Sequence, residues 1–449
     1  MKKKILLAVL VIAILLGIGG AYAYFATDTL KSEKEIFFSY MTTDIFSNIK
    51  DEKVAEYLKK QLDTPYTNKG DVSVKVGKDD EVIIGANEIA KTEDDETMQM
   101  LNDSKITFEG KIDNSKKAGE QTLTVNLSQG INVPVKIRYN GESFGVQSNL
   151  LNTKFIAIRN ENLKSLFERF GADAEEIPDK IEFDKSNFTE EEIKTLKNRY
   201  MSILNDNLGD KLFRKEKKDD QTVINLMVSD VRCIEILTKI LETLHDDDII
   251  LNKLSGIMDE EEYKQKINEA IDEIKDIDTD GNTALEINLY VKSKKVKKLE
   301  IKAIDNDDSE NTITAIIEND ENKTSISAYE GLDRYKTIAD LSIEKVENEN
   351  DTTYVINSNV QTDDEEKVTI GLKMQFKNIK ALDNVEENYE VKFITEDDTI
   401  KLYYNNLKTF NKDVEVESFN SDNAIILNDA TDEEINNLLV TLYDNLGLY

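Results

Sequence analysis

Residues 368–376 read VTIGLKMQF, and Val368, Ile370, Leu372, Met374 and Phe376 alternate there with small or polar residues. A period of two puts all five apolar side chains on one face of an extended strand. A helix would scatter them around its circumference. A polar opposite face indicates an antiparallel sheet covered on one side, since strands buried on both faces read as continuous apolar runs. The same alternation recurs at Ile287, Leu289 and Val291. It recurs at Tyr389, Val391 and Phe393 and again at Ile400, Leu402 and Tyr404, which predicts a hairpin across residues 395–399. Earlier in the chain, Leu123, Val125 and Leu127 alternate, as do Val133, Val135, Ile137 and Tyr139. Pro134 falls on the polar phase, which marks an edge or bulge. Asn140-Gly141 signals a type I′ hairpin turn.

Helical spacing separates these strand-rich regions. One long helix is predicted over residues 29–62, from Ile36, Phe37, Tyr40, Met41 and Ile45 on to Val54, Tyr57, Leu58 and Leu62. Ser32 and Glu35 form a capping-box pair at its start, and Thr189 and Glu192 form another. Helices are predicted over residues 162–170, 189–208, 231–244, 247–257, 259–277 and 432–446. The expected fold is therefore α+β: an N-terminal transmembrane helix, then two long antiparallel sheets with helices packed on one face, and a helical middle segment. The expected division is an anchor at 1–25, a first half at 26–185 and a second half at 186–449. The second half reads as helical over 189–277, sheet over 284–419 and helix over 432–446.

The anchor reading rests on Ile5–Phe25, a 21-residue run without a charge. As a helix it spans roughly 31 Å, enough to cross a hydrocarbon core. Lys2, Lys3 and Lys4 precede it, and Tyr22, Tyr24 and Phe25 stand at its far end. By the positive-inside rule the N-terminus is cytoplasmic and the bulk of the chain extracellular, in a single-pass protein of the cell membrane. The alternative is a secreted protein, cleaved near Ala23 after the small-x-small site Ala21-Tyr22-Ala23. The run is longer than the usual signal-peptide core of about 7–15 residues, which favours retention. Cys233 is the only cysteine, so no lipobox thiol ends the run and no intramolecular disulfide can form.

Net charge is −33, and setting aside the three positive charges of Lys2–Lys4 leaves −36 on the rest. Such a surface repels nucleic acid and anionic lipid and tolerates or attracts divalent cations, and nucleic acid is excluded as a partner class. Hydrophobic residues make up 39% and are spread along the chain, which supports a packed core rather than disorder.

Chemistry-bearing motifs are few. Asp276, Asp278, Asp280, Gly281 and Asn282 match the D-x-D-x-D-G opening of a calcium loop, so Asp276, Asp278, Asp280 and Asn282 are the candidate metal ligands. The twelfth position is Ile287 rather than a bidentate glutamate, and the ordinary reading is an acidic turn after a helix. Calcium is the one candidate cofactor. His245, the only histidine, sits at a helix end beside Asp246. Ser47 and Lys50 match S-x-x-K and residues 421–423 match S-D-N, but K-T-G is absent. No catalytic residues are assigned, and the chain reads as non-enzymatic. Lys292, Lys294, Lys295, Lys297 and Lys298 crowd one hairpin. A solvated tip is the simplest account, and contact with teichoic acid or lipid headgroups is the alternative.

The span with the following YFATDTLKSEKEIFFSYM (24–41), and FGVQSNLLNTKFIAIRNENLKSLFERFG (144–171), carry a family resemblance. They resemble single-span extracytoplasmic proteins of clostridia and related low-GC Gram-positive bacteria that share a domain of unknown function. That likeness implies the span and the extracytoplasmic bulk, and no activity. The strand-rich halves also look like the curved-sheet LolA and LppX-like envelope carriers, which implies lipid held against a sheet. The expected function is a membrane-anchored binding or scaffold module of the cell envelope. The alternative is a carrier or sensor of a lipid or other apolar ligand. Expected partners are the bilayer, through residues 5–25, and an envelope protein or lipid.

Overall fold

A computed structural model describes residues 32–43, 45–77, 99, 102–126, 132–170, 179–180, 188–254, 258–306, 308–331, 336–361, 367–395, 399–410 and 413–446. The predicted anchor at 5–25 and the site near Ala23 lie outside them. Among the described residues, no helix is long and apolar enough to cross a membrane.

In chain order, helices α1 (Glu33–Thr43) and α2 (Glu52–Asp63) come first. Strands β1 (Tyr66–Gly77), β2 (Lys105–Asp113), β3 (Ala118–Asn126), β4 (Asn132–Asn140), β5 (Ser143–Ser148) and β6 (Asn152–Arg159) follow. Next are α3 (Leu163–Arg169), α4 (Glu190–Asn207), β7 (Phe213–Lys218) and β8 (Gln221–Ser229). Helices α5 (Asp230–His245), α6 (Asp248–Leu254) and α7 (Glu260–Lys275) form the middle segment. Then come β9 (Thr283–Lys292), β10 (Lys295–Ala303), β11 (Ile313–Asn319), β12 (Lys323–Glu330), β13 (Lys336–Glu347) and β14 (Thr352–Gln361). The chain continues through β15 (Lys367–Lys377), β16 (Asn384–Ile394), β17 (Thr399–Phe410), β18 (Ala424–Ile426) and α8 (Asp432–Leu446).

The expected α+β arrangement of an N-terminal transmembrane helix and two long sheets with helices on one face needs correction. The strands belong to one 18-stranded sheet, and no transmembrane helix stands among the described elements. Every described pairing is antiparallel except β18 with β6. Alternation reveals that a strand has a covered face but is silent about its neighbours. β1 pairs with β17, more than 300 residues away, which no local pattern encodes. The single helix expected over 29–62 is also corrected, because a 3₁₀ turn at Ser47–Ile49 and a new N-cap at Asp51 split it into α1 and α2.

Two compact units form. The first comprises Met1–Lys50, Glu182–Glu344 and Asn357–Glu365; the second comprises Asp51–Ile181, Lys345–Ile356 and Glu366–Tyr449. In the first, β7 to β13 form a meander in chain order. Ile224, Leu226, Ile287 and Leu289 of the meander are fully buried with Phe37 of α1, Leu204 of α4 and Ile236 of α5. Burying each such side chain contributes about 1.5–3 kcal/mol. Cys233 lies in this core as a small apolar residue, and burial pushes its thiol up to about 12, with Asp230 adding to the shift.

In the second unit the order is β15–β16–β17–β1–β2–β3–β4–β5–β6–β18. Both faces of this sheet carry cover, a helix on one and an extended segment on the other. Helix α2 packs Val54 and Tyr57 against Phe376 and Val385 on one face. On the other, Phe419 packs against Phe155, and a Cβ on Gly145 would sit 2.7 Å from the Phe419 ring. The buried Arg138 guanidinium lies 4.3 Å from the Phe155 ring centre and donates to Glu120 Oε2 at 2.6 Å. Pro134 stands where β4 has β3 beside it but β5 has not yet begun, so its missing N–H costs no ladder bond on that side. The hairpin turn centres on Gly141 and Glu142 rather than on Asn140-Gly141, with φ +60 at Gly141 alone, as a type II′ turn requires.

Candidate functional site

The face of the second unit's sheet that receives α2 is apolar far beyond the helix. Cross-strand register aligns Ile370 with Phe393, Phe393 with Ile400, and Ile400 with Val76. The next row is Leu372, Val391, Leu402 and Val74. A third runs from Met374 through Tyr389, Tyr404 and Val72, and continues through Ile106, Val125 and Val133. Ile370, Phe393 and Ile400 are 36%, 41% and 42% exposed, and the second row is half-buried throughout. Period-two alternation in every strand sends these side chains to one side, and their breadth comes from register alone. Helix α2 covers one end of this face and leaves its own Leu58 and Leu62 exposed.

Where α2 meets the sheet, polar residues replace apolar ones. Glu387 of β16 is 3% exposed, and Asn406 and Lys408 of β17 are buried beside it. Glu387 accepts from Tyr57 Oη at 2.8 Å, from Asn406 Nδ2 at 3.0 Å and from Lys408 Nζ at 3.1 Å. Lys408 also donates to Gln61 Oε1 at 2.8 Å. The cluster thus ties two α2 side chains to two strands. Burial raises the Tyr57 hydroxyl well above the ordinary phenol range, and the Glu387 charge pushes it the same way. Burial likewise takes Tyr66 up to about 12. A phenol held protonated and a carboxylate accepting three hydrogen bonds make a structural pin, not an acid–base pair facing a substrate.

Aromatic rings line the floor next to this pin. Phe108 stacks on Tyr404 at 5.6 Å and Tyr404 on Tyr389 at 5.3 Å, and Tyr389 meets Phe376 edge-on at 5.8 Å. Gly70 of β1 lies between β2 and β17, and a Cβ there would fall 2.6 Å from the Phe108 ring. Glycine at this position lets Phe108 cross the intervening strand.

The opposite face is polar. A groove of 580 Å³ there is lined by Lys69, Asp71, Lys105, Thr107 and Glu109 among others. Lys105 pairs with Asp71 at 3.2 Å, and Asn405 donates to Asp71 at 3.0 Å, so its charges are largely matched internally.

Asp276, Asp278, Asp280 and Asn282 lie together in one exposed turn after α7. Asp276 is the C-cap of that helix. Asp280 accepts from the Asn282 N–H at 2.9 Å and from its amide at 2.5 Å, and the Asn282 backbone bond is the chief cause of its lowered carboxyl. Asp230 at the start of α5 accepts from the N–H groups of Asp280 and Gly281. Among the described residues, no three His, Cys, Asp or Glu side chains converge as a metal group. His245 pairs with Asp246 at 2.7 Å at the end of α5. The pin at Glu387 was not anticipated from the sequence, although it had a signal: Glu387, Asn406 and Lys408 occupy the apolar phase of their strands.

No protein-family model and no curated protein matches the chain. Among solved structures, the chain is similar to the vaccine antigen transferrin binding protein B of Haemophilus parasuis. A single mutant of it is 8% identical over 78% of this chain and 76% of that one, with a TM-score of 0.12. A double mutant is 7% identical over the same shares, with a TM-score of 0.12. Likeness at that level carries no argument about fold or activity.

Proposed function

We propose that the chain is a non-enzymatic binding module of the cell envelope, held at the membrane by residues 5–25. In this reading its second unit binds an extended apolar ligand, the acyl chain of a lipid, on the open apolar face of its sheet. The observation that carries the proposal is the row Ile370, Phe393 and Ile400, exposed side by side on adjacent strands and backed by a second, half-buried row. Large apolar side chains exposed next to one another, rather than singly, are the kind of patch that marks a binding surface. The buried Cys233 thiol and the saturated Glu387 carboxylate support a role without catalysis.

Lipid co-purifying with the full chain tests this. Each apolar side chain contributes about 1.5–3 kcal/mol when buried, so the double variant Phe393→Asp/Ile400→Asp is expected to lower retained lipid by at least about tenfold. A melting curve checks that the variant is folded, since the two aspartates stand opposite each other on paired strands and lower its stability. Unchanged lipid content in a folded double variant overturns the reading.

A further inference from the structure

In the first unit, hairpins β7–β8 and β9–β10 end side by side. Thr222 of β8 pairs with Val291 of β9, and Lys292 bridges to Asp220 in the neighbouring turn. This gathers two basic stretches that are more than 70 residues apart in the chain, RKEKKDD at 214–220 and KSKKVKK at 292–298. They hold nine basic and three acidic residues in a protein whose net charge is −33. Lys298 is neutralised by Glu300 at 3.1 Å. Arg214, Lys215, Lys217 and Lys218 on the first hairpin make no ion pair among the described residues. The same holds for Lys294, Lys295 and Lys297 on the second. Lysines on the edge strand β7 alone are explained as protection against edge-to-edge pairing. On β10, β9 lies alongside from Lys295 but β11 only from Lys298, so the same account covers Lys295 and Lys297; it does not cover Lys294, which stands in the turn.

The β9–β10 turn carries a second observation. Its two central residues, Ser293 and Lys294, both have positive φ, +53 and +60. A type I′ turn favours Asn-Gly at these positions, and side chains with a Cβ adopt them at a conformational cost. The tip places a lysine where glycine would be easier.

From the paired tips we infer that this surface docks on the anionic headgroups of a lipid bilayer. A locally concentrated positive potential in a strongly negative protein selects a dense anionic partner. The choice of a bilayer rests on the reading of Ile5–Phe25 as a span. The seven residues 26–32 reach at most about 25 Å. Phe37, in the second turn of α1, touches Phe213 at the start of β7 with ring centres 5.3 Å apart. With the α1 residues before Phe37 rising about 1.5 Å each and β7 about 3.4 Å per residue, the tips lie within roughly 60 Å of the point where the span leaves the membrane.

The test reconstitutes the full chain in nanodiscs of phosphatidylcholine alone or with phosphatidylglycerol, and reads acetylation of Lys294, Lys295 and Lys297 by mass spectrometry. Labelling is expected to slow about fivefold per lysine in the anionic discs at low salt, and to recover at high salt. The variant Lys294→Gln/Lys295→Gln/Lys297→Gln should correspondingly lose protection at Lys217 and Lys218. Equal labelling in both discs overturns the inference while leaving the span reading intact. Protection by inorganic polyphosphate but not by phosphatidylglycerol also overturns it, in favour of a soluble polyanion. Failure of the chain to co-elute with either disc overturns the span reading and this inference together.

Discussion

Glu387 shows how a single side chain fixes the placement of a helix. Its carboxylate is buried, yet three donors satisfy it, one of them the Lys408 ammonium. Removing one partner of such a pair leaves a charge without compensation, which costs about 3–5 kcal/mol. Lys408→Met is therefore expected to lower the urea midpoint strongly. The double variant Glu387→Gln/Lys408→Met should cost less than the sum of the single changes, by about 1 kcal/mol or more. Additive losses in urea melts would show that the two residues act independently. The pin was legible only as a violation of pattern. Val385, Tyr389, Val391 and Phe393 share a phase with Glu387, and Leu402, Tyr404 and Phe410 share one with Asn406 and Lys408. A polar residue in an apolar phase shows that something buried needs a partner, but not which residue supplies it.

At the scale of elements, the start of α2 is decided by Asp51. Its Oδ1 accepts from the N–H groups of Lys53 and Val54 at 2.8 and 3.1 Å, and its Oδ2 accepts from the Thr352 hydroxyl at 2.8 Å. Burial alone would raise this carboxyl, but those hydrogen bonds outweigh it and hold it below the ordinary carboxylate range. A depressed folded-state value means that the stabilisation is fully present above about pH 4 and is lost as pH falls through the lower folded value. Asp51→Ala is expected to cost about 1 kcal/mol at neutral pH. The gap to the parent should shrink below about pH 4, as read from urea melts at pH 7 and pH 3. A gap that is constant with pH would mean the cap acts without its charge. The break between α1 and α2 does leave a trace in the sequence: the step from Ile49 to Val54 is five residues, which would turn the apolar stripe of a continuous helix by about 140°. The capping boxes at Ser32–Glu35 and Thr189–Glu192 were legible and form with both reciprocal bonds. They are local and need no tertiary partner.

At the scale of the molecule, alternation identified strands such as Val368–Phe376 but not the company they keep. That stretch is β15, and its apolar side chains head three rows that run across the second unit's sheet. Rows are a property of register, and register between strands hundreds of residues apart is set by the whole fold. The division into an apolar and a polar face was therefore readable, while the breadth of the apolar face was not. That breadth is the basis for proposing an acyl ligand. The most direct measurement replaces Phe393 by the photo-crosslinking residue p-benzoylphenylalanine in the full chain, in its membrane. Leu407, exposed on the opposite face, takes the same replacement as the control. The account predicts, by intact-mass analysis, a lipid adduct from position 393 and none from position 407. No adduct at 393, or equal adducts at both positions, would contradict it.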